Sequence, residues 1–211
     1  VLPRTAVYDP ELTLTMPAEL TAVSGMNAIA HAVEGLYAPD GSALLALLAE
    51  EAIRALAGAL PGCVDRPDDL DARAEALRGA WLAGLVLGNS TMGVHHKLCH
   101  VLGGYGLPHG AVHAAVLPYS AAFNGAAAPA AMRRIAVALG VTGVPGEVDG
   151  SAAPAALWQL GRRLGLPLGA PGHRHRAAAR GLDDQALAGA GVRGVGGPPP
   201  RGGQGLPAVR Y

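Results

Sequence analysis

Five of the eight histidines lie within nineteen residues: His95, His96, His100, His109 and His113. Their spacing carries the chemistry. His96 and His100 are four apart, as are His109 and His113, and Asn27 and His31 repeat the interval upstream. On a helix, residues i and i+4 project from one face. Three helices would therefore each present two ring- or amide-bearing side chains on one side. The surrounding text is apolar, so those sides are expected to meet at a buried polar centre. Imidazole suits two tasks there: it ligates transition metals, and it gives or takes a proton near neutrality. Burying several such rings without partners is costly, so a cluster argues for a function.

Other residues invite plainer readings. His95 is one step from His96 and points about 100° away on a helix, so it is expected to pack or to face solvent. Glu34 is three residues after His31 and could orient that ring, but it reads as an exposed helix glutamate. Cys99 reads as small buried packing rather than a reactive thiol. Gly103-Gly104 lacks a preceding strand and the GxGxxG pattern, so it is no dinucleotide fingerprint. His173 and His175 receive no role.

The elements that must position these groups are helices. Thr5–Tyr8 is a short β-favouring run stopped by Asp9-Pro10, and it is expected to be a lone strand. Ser24 is expected to cap a helix through Gly25–Tyr37, with Met26, Ile29, Val33 and Leu36 on its apolar face. Ser42 opens a second helix, expected to close at Pro61-Gly62. Asp68, Asp69 and Asp71 suit the first turn of a third, ending near Gly88. Ser90 or Thr91 is expected to cap a fourth over Met92–Leu102. Pro108 suits the first turn of a fifth, which Pro118 should kink or stop. Ala130–Leu139 with Gly140, and Ala152–Leu164 with Gly165, complete seven helices in an all-α bundle. From about Gly169 the text is rich in Gly, Pro and Arg with no apolar period, and it is expected to be a disordered or frameshifted tail.

Composition excludes several classes. Lys and Arg total 16, as do Asp and Glu, so the formal charge is zero and no basic excess favours nucleic acid. No run of about 18 apolar residues suggests a membrane span. The two cysteines, Cys63 and Cys99, make no disulfide framework, so a reducing cytoplasm is expected.

The stretches SGMNAIAHAVEGLYA, MGVHHKLCHVLGG and LPHGAVHAAVLP together resemble the maleylacetate reductases of the iron-containing alcohol dehydrogenase superfamily. YDPELTLTMP resembles the segment leading into the superfamily's helical domain. The likeness covers about residues 1–141. It implies two domains, an upstream α/β domain holding NADH or NADPH and a helical catalytic domain. In this chain, residues 1–15 would end the first, 16–165 would form the second, and 166–211 would be the tail. The activity implied is reduction of maleylacetate to 3-oxoadipate in aromatic-compound degradation by a homodimer acting on a small dicarboxylate. His100 and His109 would be catalytic, and Lys97, His113, His96, Asn27 and His31 would bind substrate. Metal-dependent relatives carry Asp where this chain has Asn27, with further ligands at the positions of His31, His96 and His109. An amide is a neutral, weaker ligand, so no metal is expected. The loop between His100 and His109 is one residue shorter than the family pattern, which bears on how those two rings meet. Two other readings are a metal-dependent alcohol dehydrogenase and an inactive gene fragment. Alone, without the nucleotide-binding part, the chain is expected to turn nothing over.

Overall fold

An apolar stripe at helical spacing must bury itself against another element, and among the described residues seven helices bury theirs against one another. The structure, a computed structural model, describes residues 5–142 and 148–168. All of these fall in one unit, Val1–Gly169. The helices are α1 (Ala18–Gly35), α2 (Ala43–Asp65), α3 (Leu70–Asn89), α4 (Val94–Gly104), α5 (His109–Asn124), α6 (Pro129–Ala138) and α7 (Ala152–Arg163). A single 3-10 turn, Glu11–Thr13, precedes them.

The core is built from Met26, Ile29 and Val33 of α1, Ile53, Leu56 and Leu60 of α2, Val86 of α3, Leu117 of α5, Ile135 of α6 and Leu157 of α7. Each such side chain contributes roughly 1.5–3 kcal/mol when removed from water. α1, α2 and α3 pack on one another, and α5 lies against α1, α4 and α7. Close approach is what Gly25 supplies: a Cβ there would sit 2.3 Å from a Leu60 methyl. No described helix is long and apolar enough to cross a membrane.

Several boundaries differ from the sequence expectation. Thr5–Tyr8 forms no strand, because a strand needs a paired neighbour and no described strand lies beside it. α1 starts at Ala18, directly after Pro17, so Ser24 lies inside the helix and caps nothing. α2 runs through buried Pro61 to Asp65, and α5 runs through buried Pro118 to Asn124. At both sites apolar packing of the ring outweighs one lost helical bond. Ser42 does cap α2, while Asp69, expected in the first turn of α3, is its N-cap and accepts the Ala72 N–H; Gly140 and Gly165 follow α6 and α7 with positive φ. Leu166 and Leu168 are buried in the core, so the helical unit reaches past 165. The tail, with His173 and His175, otherwise lies outside the described residues.

Candidate active site

The start of α4 is where the bundle gathers its polar groups. No side chain of the chain segment before α4 caps it, and its N-cap is Gly93. Ser90 donates instead to the Val86 carbonyl, and Thr91 bonds the Asp40 carboxylate. The cap comes from α1. Glu34 accepts the backbone N–H of Gly93 at 2.9 Å, of His95 at 2.9 Å and of His96 at 3.3 Å. Its Oε2 also accepts Nδ1–H of His96 at 2.7 Å. A carboxylate at a helix N-terminus meets the positive end of the dipole. Gly93 permits the approach, since a Cβ there would lie 2.8 Å from Glu34 Oε1.

Glu34 is thus 1% exposed, which corrects its reading as a surface glutamate. Burial pushes its carboxyl up, but the His96 and His95 hydrogen bonds outweigh that and hold it below the ordinary value. The sequence carried one signal: Asn27, His31 and Glu34 are spaced i, i+4, i+7 and share a stripe of α1.

Around this cap six imidazoles form one continuous chain. His31 stacks on His96, with centroids 4.5 Å apart. His96 meets His113 at 4.8 Å, and His113 meets His109 at 4.4 Å. His100 lies 6.4 Å from His96 and 6.1 Å from His109. His95, expected to pack or face solvent, is fully buried and joins the cluster 5.0 Å from His113. The three spaced pairs therefore do converge. The short loop between His100 and His109 still leaves those rings face to face at the exposed end.

Burial grades along the chain of rings. His100 and His109 are exposed, His31 is half-buried, and His95, His96 and His113 are buried. Desolvation, followed by repulsion from neighbouring rings, lowers His31 and His95 to about 4 and His113 to about 3. These three are neutral at pH 7. Cys99, whose Sγ lies 3.6 Å from His95 Nε2, is a buried thiol pushed up to about 12, mainly by burial. It is inert packing, as expected. Lys97 is exposed and makes no ion pair among the described residues.

Asn27 Oδ1, on the stripe of α1 that carries His31, and two ring nitrogens of the cluster, His96 Nε2 and His113 Nε2, are buried with no hydrogen-bond partner. Asn27 brings no charge to a metal site, where a carboxylate would. Among the described residues, one group of three His, Cys or acidic donors lies close enough together to hold an ion: His95, Cys99 and His113, within 4.8 Å of one another. No glycine-rich strand-to-helix turn exists among the described residues to cradle a pyrophosphate.

Comparison with known proteins places this geometry. Residues 21–170 match the Fe-containing alcohol dehydrogenase family, C-terminal part. Maleylacetate reductase 2 of Cupriavidus pinatubonensis is 59% identical over 147 residues, 69% of this chain and 41% of that protein. Maleylacetate reductase of Burkholderia cepacia is 53% identical over 169 residues, 80% of this chain and 46% of that protein. The crystal structure of maleylacetate reductase from Rhizobium sp. strain MTP-10005 superposes with a TM-score of 0.75 at 40% identity, covering 90% of this chain and 50% of that one. The chain thus spans about half or less of the length of these relatives.

Proposed function

Because the chain belongs to the Fe-containing alcohol dehydrogenase family, we propose that it supplies the helical catalytic half of a maleylacetate reductase. The carrying observation is the pair His100 and His109, exposed and 6.1 Å apart at the open end of a chain of imidazoles that is otherwise buried or half-buried. Relatives bearing that name at 53–59% identity support the substrate class.

In this reading a reduced nicotinamide supplies hydride to the activated C=C bond, and the chain's own residues manage charge and protons. His100 and His109 flank the substrate and furnish the proton and the stabilisation of enolate charge. His96 stands beside them, its Nδ1 held by Glu34. Asn27 and His31 form the adjoining wall, and exposed Lys97, one residue from His96, meets a substrate carboxylate. The nicotinamide is NADH or NADPH, held by the part of the relatives' length that this chain does not span. The working protein is a cytoplasmic homodimer.

The family's name carries iron, so the metal-free reading rests on the donor set alone. In a chain completed to the relatives' length, maleylacetate-dependent nicotinamide oxidation should survive chelators. His100→Ala and His109→Ala should each lower turnover by about 10²–10⁴, the usual contribution of a positioned acid or base. Activity lost on chelation and regained with iron or zinc would favour the metal-dependent alcohol dehydrogenase reading instead. Asn27→Asp should raise zinc affinity, measured by calorimetry, since a carboxylate adds the missing anionic ligand. It should slow maleylacetate reduction, because the new charge repels a dicarboxylate.

A further inference from the structure

From His113 a second set of groups runs away from the exposed pair His100 and His109. His113 Nδ1 lies 3.0 Å from His95 Nε2, His95 Nδ1 lies 2.9 Å from Ser120 Oγ, and Ser120 Oγ lies 3.0 Å from the Leu117 carbonyl. All three side chains are buried. The contact between His95 and His113 takes a single proton, and a second N–H on His113 would be a buried donor with no partner.

Only two proton arrangements satisfy these contacts. In the first, Ser120 donates to Leu117, His95 donates through Nδ1–H to Ser120, and His113 donates through Nδ1–H to His95. That makes three hydrogen bonds and leaves His113 Nε2 as a bare acceptor. In the second, Ser120 donates to His95 and His95 donates to His113. That makes two and strands a buried N–H on His113 Nε2, which has no partner. A hydroxyl has one proton to give. Buried orphan donors are rarer than under-used acceptors, and the fuller network wins. The Cys99 thiol, protonated and 3.6 Å from His95 Nε2, is a further weak donor toward the same nitrogen.

We propose that Ser120, through His95, fixes the tautomer of His113 so that a bare Nε2 lone pair forms the inner wall of the site and accepts a hydrogen bond from a hydroxyl-bearing ligand group. That lone pair repels carboxylates and receives an alcohol or enol O–H. Ser120 and His95 are positioning residues, and His113 is the specificity determinant. Only this use of the lone pair rests on the reductase reading. The tautomers belong to the chain itself, so either can fail without the other.

The test is long-range ¹H–¹⁵N correlation NMR on the ¹⁵N-histidine-labelled chain at neutral pH. His95 and His113 should both be Nδ1–H forms, with His113 favouring that form by roughly 2- to 12-fold, the worth of one net hydrogen bond. Ser120→Ala should bring that ratio toward one, Ser120→Thr should restore the excess, and Cys99→Ala should lower it less than Ser120→Ala does. An Nε2–H form of His113 in the unaltered chain overturns the proposal, and this holds even if a variant fails to fold. So does an unchanged ratio in a folded Ser120→Ala chain. So, too, does a shift of the unaltered chain's signals on adding a chelator, since His95, Cys99 and His113 would then be metal ligands rather than a hydrogen-bonded set.

Discussion

Lowering the pH from 7 toward 5 is expected to unfold the helical unit. His31 and His95 fall to about 4 and His113 to about 3 in the folded chain, each mainly through desolvation. In the unfolded chain the same rings titrate near the ordinary 6.5. Between those values the unfolded state binds more protons, so stability rises with pH. The contribution is fully present above about 6.5 and is lost as pH falls toward 4 and then 3. Glu34, held below its ordinary value, acts in the same direction at the acid end, losing its contribution as pH falls through its folded value. Each ring accounts for about 1.4 kcal/mol per pH unit within its window. Half-exposed His31 counts for less, because solvent screens it. Together they reach about 3–4 kcal/mol per unit, against a typical total of about 5–15 kcal/mol. Helical circular dichroism followed against pH should show a cooperative loss near pH 5, and His113→Gln should flatten it by about one proton. A unit still folded at pH 3.5 with no such slope would refute the burial of neutral rings.

Glu34→Ala is expected to cost about 3–5 kcal/mol, because it removes the acceptor shared by the α4 N-terminus and leaves His96 Nδ1–H buried and unpaired. The loss should appear as a lower urea midpoint with an unchanged slope. Glu34→Gln keeps an oxygen to accept one or two of those bonds and should cost less, roughly 1–3 kcal/mol. An alanine variant within 1 kcal/mol of the parent would mean that α4 is not capped from α1. The site would suffer with the fold, since α4 carries His95, His96 and His100.

Much of this was legible along the chain. Helix identity, the cap at Ser42, the acidic start of α3, the turns at Gly140 and Gly165, and the sidedness of His96/His100 and His109/His113 are local properties, set within a few residues by backbone geometry. The same locality explains the errors. A lone strand at Thr5–Tyr8 depends on a neighbour, and the stops expected at Pro61 and Pro118 were outweighed by packing from other helices.

The sequence by itself determined that imidazoles would be paired on helix faces. Only the tertiary structure decided which rings are neutral, which nitrogens are bare, and that Glu34 and Ser120 govern them. Those partners lie 59 to 62 residues apart in one case and 25 in the other. Hydrogen bonding and desolvation act over a few ångströms of space, and residues so far apart in the chain come within that range only when α1, α4 and α5 pack.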